Sequence, residues 1–323
     1  MKKQILAIAV AGAFAVPAIA SADTTLFGQF KYEVGFIDDG SDRNMTHATT
    51  GTRLGIDVKE DLGNGLTATA RFQGNLNQVN GGLGGQKWGT NENAWVGLTG
   101  DFGRLRIGRA DTAVKEASKG FRAFSDTLAD RSIPGVQGNN VSRPANWWRA
   151  EGIHYNSPSF GGTTIGVTIA PDGDKSNAYY ALNVQYNQGP IRVTAAVEDF
   201  SDGTPGIPAG NLFVDGNRED ETNYQVGARY SFGPGNVGVL DQAINDGDTD
   251  VITVPFNFGV TSNVDLRAAV QHFDPDNGDS HTNVAVGAIY KFSNRTDVWA
   301  NIWEDDMNDD TDVQFAVGMR HSF

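Results

Sequence analysis

The sequence predicts an all-β chain: a transmembrane antiparallel β-barrel of sixteen strands, with short turns at one end and long loops at the other. Three observations predict it. From Leu26 onward apolar and polar residues alternate with a period of two rather than 3.6. The connections between the alternating segments are by turns short and long. After Asp23 no stretch reaches the ~18 uninterrupted apolar residues of a spanning helix. A strand that shows lipid only every second residue can still cross a bilayer at a mean hydropathy of −0.36.

Residues 1–22 read as an export signal ahead of one barrel domain over 23–323. Lys2 and Lys3 give a positive start, Ile5 to Val16 an apolar run too short to span, and Ala20-Ser21-Ala22 the small residues of a cleavage site. The first strand then carries Phe30, Tyr32 and Phe36 on one parity. In the next, Leu54, Ile56 and Val58 oppose Arg53, Asp57 and Lys59; after a turn, Leu66, Ala68, Ala70 and Phe72 oppose Thr67, Thr69, Arg71 and Gln73. The rhythm continues with Ile191, Val193, Ala195 and Val197 against Arg192, Thr194 and Glu198, and with Val264, Leu266, Ala268 and Val270 against Asp265, Arg267 and Gln271. Val237 to Asp241 and Val251 to Phe258 carry the faintest pattern.

Short turns fall at 61–65, 100–103, 157–162, 187–190, 233–236, 259–263 and 293–295. Long polar connections fall between them, at 37–51, 76–91, 111–148, 171–177, 201–221, 244–248, 273–280 and 304–311. Together they join sixteen strands, an even number, as a closed antiparallel barrel needs. Aromatic residues near strand ends, among them Tyr224, Tyr230, Phe232, Tyr290 and Phe292, fit the interfacial girdles of such a barrel. The last segment places Val313, Phe315, Val317, Met319, His321 and Phe323 on one face. A terminal strand of this kind ending in Phe323 resembles the signal read by the outer-membrane assembly machinery.

The chain has 25 Lys plus Arg against 39 Asp plus Glu, a net charge of −14, which argues against a nucleic-acid partner. Much of the acid sits in the long connections, such as Asp274, Asp276, Glu304 and Asp305, and reads as a solvated surface. With no Cys there are no disulfides, thiolate nucleophiles or Cys-ligated metals.

At this point the sequence resembles the general Gram-negative porin family. Thr25-Leu26-Phe27-Gly28 opens the first strand. Gly51-Thr52-Arg53-Leu54-Gly55 is followed by Glu60-Asp61-Leu62-Gly63-Asn64-Gly65-Leu66. Ala94-Trp95-Val96-Gly97-Leu98, Phe102-Gly103 and Gly108-Arg109 come next, then Tyr155 to Gly162 and the closing Val317 to Phe323. The resemblance implies a water-filled outer-membrane channel for small hydrophilic solutes and ions, assembled as a homotrimer amid outer-membrane lipid and lipopolysaccharide. It also implies that the third long loop, 111–148, folds inward and sets acids against wall arginines across a narrow gap. Glu116, Asp126 and Asp130 are the candidate loop carboxylates; Arg53, Arg71 and Arg106, with Lys31, are the wall cations by parity. The resemblance adds Arg109, although alternation from Leu105 and Ile107 points it outward unless Gly108 makes a bulge. It also adds Arg149 or Arg143 as the cation just after the loop.

Other motifs fail. Asp274-Pro275-Asp276-Asn277-Gly278 puts Gly one place too early for an EF-hand, and Asp246 to Asp250 lacks the downstream Glu. Gly81-Gly82-Leu83-Gly84-Gly85 has no following Gly-Lys-Ser/Thr. No cofactor or metal is expected. A membrane-barrel hydrolase or protease could use one of the five histidines, His47, His154, His272, His281 and His321, with Asp and Ser, but such enzymes are smaller barrels with fewer strands, so an enzyme is not expected. The alternatives on the same barrel are a solute-selective channel, with Trp147-Trp148, Trp299 and Trp303 available to stack on sugars, and a surface adhesin.

Overall fold

The structure is a computed structural model and describes residues 22–38, 43–48, 51–75, 92–130, 149–171, 178–200, 221–305 and 312–323. The export signal, Arg143 and Trp147-Trp148 lie outside the described residues.

The first half of the sheet comprises β1 (Asp23–Asp38), β2 (Arg43–Ala48), β3 (Arg53–Gly63), β4 (Leu66–Asn75), β5 (Ala94–Gly100), β6 (Gly103–Asp111), β7 (Arg149–Asn156) and β8 (Thr163–Pro171). The second half comprises β9 (Ala178–Gln188), β10 (Ile191–Phe200), β11 (Glu221–Phe232), β12 (Gly235–Ile244) and β13 (Thr249–Gly259). It ends with β14 (Val264–Pro275), β15 (His281–Lys291), β16 (Thr296–Asp305) and β17 (Asp312–Ser322). Each pairs antiparallel with its neighbours, and β17 pairs with β1 from Gln29↔Ser322 to Phe36↔Phe315, which closes the barrel. The ladder runs one residue further, since Phe323 and Gly28 exchange both backbone hydrogen bonds.

The seventeen strands occupy sixteen positions. β2 and β3 both pair with β1, β2 against Glu33 to Asp38 and β3 against Asp23 to Gln29, so they are one barrel strand interrupted near residue 51. The expected 37–51 loop is therefore corrected: most of it is sheet, with β1 running to Asp38 and β2 pairing with it. The faintly patterned segments at Val237 and Val251 are full strands, β12 and β13.

The burial pattern is inverted relative to a soluble protein. Outward residues such as Leu26, Val96, Ile107, Val226 and Ile302 are exposed, while inward Gln73, Thr194, Asn223, Gln242, Gln271 and Asn301 are buried. Apolar groups left on the outside need hydrocarbon around them, and polar groups inside need water or partners. No described helix is long and apolar enough to cross a membrane. Among the short turns, Asn64-Gly65 takes φ of 52° and 76°, the left-handed pair that matches strand twist in a two-residue hairpin.

Inside the barrel lies what the alternation could not foretell. After β6 the chain turns inward into helix α1 (Ala113–Ser118) and runs along the inner wall to a 3-10 turn at Leu128–Asp130. Phe121, Phe124 and Leu128 are buried there. Their seats are small wall residues: a Cβ at Gly227 would come within 2.7 Å of Phe121, and one at Gly287 within 3.0 Å of Phe124. Among the described residues, the two larger apolar clusters form where this loop presses against the lumen side of the barrel wall, and Ile244, Val251 and Phe273 form a smaller one apart from it.

Candidate functional site

The inward loop leaves an opening against the β3–β6 wall. The space has a volume of ≈ 570 Å³ and is lined by Asp57, Lys59, Arg71, Trp95, Arg104, Arg106, Asp111, Glu116 and Lys119, with Thr67, Thr69 and Thr99. Each wall residue arrives by parity: Arg104 and Arg106 on β6 share a face, opposite Ile107, and Arg71 on β4 lies opposite Trp95 on β5. Five of the charged lining residues are basic and three acidic, so the space is positive inside an acidic chain.

Glu116 is the centre of this charge pattern. Its Oε1 lies 3.7 Å from Arg106 Nη2 and 3.8 Å from Arg104 Nη2, and its Oε2 lies 2.7 Å from Lys119 Nζ. One carboxylate thus faces two guanidiniums. Both arginines also donate to Asn156 Oδ1, at 3.0 and 3.1 Å, and Arg106 lies over the Trp95 ring at 5.7 Å. Arg71 is held differently, by a two-point bond to Asp57 with both distances 2.6 Å. Such a fork-to-fork pair fixes the guanidinium plane.

Arg53 reaches across from β3 to Asp126 Oδ2 at 2.9 Å. Burial favours the neutral form of Asp126, but Arg53, Arg122 and Lys31 outweigh it and hold the carboxyl at about 2. Lys31 does not face open water: it is buried and donates to the carbonyls of Asp126 at 2.6 Å and Ser125 at 3.3 Å, tying the far end of the loop to β1. Beside it Glu33 accepts from Leu128 N at 2.7 Å and from Trp299 Nε1 at 2.9 Å. Asp130 also points away from the opening. It is buried, bonds Arg122 and accepts from Asp126 N at 3.0 Å, so it shapes the loop itself.

At the loop root, Arg149 spans Glu92 at 2.6 Å and Asp111 at 3.2 Å, and Asp111 receives Lys115 at 2.6 Å and Lys119 at 3.0 Å. Burial lowers the Lys115 ammonium to about 8 despite Asp111 beside it. Arg109 is not part of this group facing the opening. The β6–β7 register runs without a shift from Arg104↔Asn156 to Asp111↔Arg149, so Gly108 makes no bulge. Arg109 keeps the parity of exposed Ile107, and its neighbour is Glu151 at 3.9 Å, whose side chain is 77% exposed. Phe323 packs against Phe30 on the outer face with ring centroids 5.6 Å apart, at the closing seam.

Sequence reasoning missed Arg104, Lys119 and Asp111. Arg104 shares the parity of Arg106 and was legible, but it adjoins the 100–103 turn. Lys119 follows Glu116 by three residues, a spacing that brings the two together only once a helix is known.

A family model described as Gram-negative porin matches residues 7–310. The major outer membrane protein P.IB of Neisseria lactamica is 28% identical over 358 residues, covering 100% of both chains. Outer membrane porin protein 32 of Delftia acidovorans is 27% identical, covering 94% of this chain and 89% of that protein. Among solved structures, an anion-selective porin from Comamonas acidovorans superposes with a TM-score of 0.76 at 22% identity, over 94% of this chain and 100% of that one. The trimer form of OmpT from Vibrio cholerae gives a TM-score of 0.67 at 16% identity, over 94% of this chain and 100% of that one.

Proposed function

Because the chain belongs to the Gram-negative porin family, we propose that the opening between the inward loop and the β3–β6 wall is the constriction of its channel, and that this constriction favours small anions. The protein is an outer-membrane channel for passive diffusion of small hydrophilic solutes. Its family marks it as a channel rather than an enzyme. The observation that carries the finer reading is the excess of basic over acidic side chains around the opening, with one carboxylate, Glu116, shared between Arg104 and Arg106.

Passage through such a gap needs no bond making. A solute narrower than the gap stays hydrated, and fixed charge sets the local ion concentrations. Arginine keeps its charge at any working pH, so the bias does not switch off. Glu116, Asp126 and the wall cations Arg53, Arg71, Arg104 and Arg106 shape this field in the proposal, and Lys31, Arg149 and Asp130 hold the loop that carries its acidic side. The Comamonas acidovorans neighbour, described as anion-selective, has the same fold.

The same reading includes a homotrimer, as the trimer form among the neighbours supports. It also includes a cleaved leader over 1–22, contact with lipopolysaccharide, and recognition of the strand ending in Phe323 by the assembly machinery. The test of the constriction is a planar-bilayer recording of the purified protein in a KCl gradient. A reversal potential of the sign for chloride preference is expected. A cation-selective reversal potential overturns the charge reading, and absence of channels overturns the whole.

A further inference from the structure

Two arginines on the wall opposite the opening have no carboxylate bonded to them among the described residues. Arg192 on β10 and Arg229 on β11 are direct cross-strand partners with both side chains on the lumen side. Like charges placed so repel one another. What faces them is the end of α1. Arg192 donates through Nη1 to the carbonyl of Lys119 and through Nη2 to those of Glu116 and Ala117, both at 3.2 Å, and to Gln185 Oε1 at 2.9 Å. Arg229 Nη1 reaches the carbonyl of Gly120 at 3.4 Å.

These carbonyls are the ones a helix leaves without partners at its C-terminal end, where its dipole is negative. The pair therefore meets its countercharge in backbone. Gly120 makes the approach possible: its φ is +92°, and a Cβ there would lie 2.5 Å from Arg229 Nη1 and 3.1 Å from Arg192 Nη1. The other end of α1 is held separately, with Ala113 N donating to Thr168 Oγ1 at 2.9 Å and Gln225 Nε2 donating to the Val114 carbonyl at 2.9 Å. Between those two anchorages α1 and the residue after it carry Glu116 and Lys119, whose side chains point across the opening toward Arg104, Arg106 and Asp111.

We propose that Arg192, seconded by Arg229, is a positioning latch that sets the conductance of the channel from the far wall by fixing the C-terminal end of α1. The proposal rests on the reading of the opening as the constriction. It assigns Arg192 a role distinct from that of a lumen charge, because its guanidinium is engaged with loop backbone.

Single-channel recording separates the possibilities. Arg192→Lys keeps the charge and loses the fork that spans three carbonyls; Arg192→Met loses both; Arg229→Met removes the second arm. If the latch operates, Arg192→Lys and Arg192→Met both show excess open-channel noise or new substates. Losing charge-assisted hydrogen bonds raises the occupancy of a displaced loop roughly tenfold. Arg229→Met gives a smaller effect of the same kind, and Arg192→Lys leaves the reversal potential where it was. A quiet, wild-type current in both Arg192→Lys and Arg229→Met overturns the latch. So does an Arg192→Lys channel as quiet as wild type beside an Arg192→Met channel that differs only in reversal potential, since Arg192 is then a lumen charge. Should Arg192→Met fail to fold, by heat-modifiable migration on gels, the other two variants still decide. Arg106→Gln, recorded alongside, reports on the constriction itself. If it alters neither conductance nor selectivity, the opening is not the constriction; if it does while the latch variants are silent, only the latch fails.

Discussion

Replacing Arg104 by Gln takes the opening from five basic and three acidic lining residues to four and three, with little change in side-chain bulk. Arg104 is the most open to solution of the arginines lining the opening, with its side chain 40% exposed. An ion passing at about 5 Å in a water-filled gap interacts with that charge by about 0.8 kcal/mol before screening. Salt at 0.1 M, with a Debye length near 10 Å, leaves about 0.5 kcal/mol. The term has opposite signs for chloride and potassium, so the anion-to-cation permeability ratio falls about fivefold. At 1 M salt the Debye length is about 3 Å and the same substitution changes the ratio less than about twofold. Reversal potentials of the Arg104→Gln channel, measured across KCl gradients at low and high mean concentration, give both ratios. Glu116→Gln should move the ratio the other way. An Arg104→Gln shift of equal size in dilute and concentrated salt would refute the field argument, because a change that ignores screening comes from a moved loop.

Further outcomes follow from the same geometry. Arg109→Gln should leave the reversal potential unchanged, since its side chain keeps the outer parity; a shift comparable to that of Arg104→Gln would return it to the lumen. Asp126 has its pKa depressed to about 2, so its ion pairs stabilise the fold fully above its ordinary pKa, and that contribution is lost as pH falls through about 2. Denaturant unfolding in detergent should therefore show Asp126→Asn less stable by about 2 kcal/mol at pH 7, with the difference from wild type closing as pH approaches 2. Gly227→Ala puts a methyl within 2.7 Å of Phe121 and 2.9 Å of Leu240. Overpacking of that kind costs about 1–3 kcal/mol and should appear as loop substates in the current, while the barrel still folds; a silent Gly227→Ala channel would mean that Phe121 is not held by that seat.

The barrel was legible because water inside and hydrocarbon outside impose one binary choice at every strand residue, and a period of two records it directly. Arg71 and Arg106 could be placed on the inner face for that reason, each being a polar position between apolar neighbours, and Arg53 by its parity against Leu54, Ile56 and Val58. Legibility failed where a second rule applied. Arg43 to Ala48 has no alternating apolar face, yet it pairs with β1 from Glu33 to Asp38, with the His47 ring stacked on that of Tyr32. Asp111 and Arg149 end their strands where the chain rolls inward, and there strict alternation gives way to an ion network. The roles of Lys31, Glu33 and Arg192 were not visible either, because their partners are backbone groups of a loop far away in sequence, and no spacing records such a contact.

The junction of β1 with β17 has a kinetic consequence. All other neighbouring strands are joined by the chain that runs directly between them, and each such pair can form as a local event. This junction alone needs two edges separated by nearly the entire polypeptide to find each other, the kind of long-range search that governs how slowly a β protein matures. Until they meet, both edges expose rows of amide and carbonyl groups that water satisfies and hydrocarbon does not. Entry into the bilayer and the meeting of the two edges must therefore be coupled, and a change that weakens Phe36 against Phe315 should delay maturation more than it weakens the finished barrel.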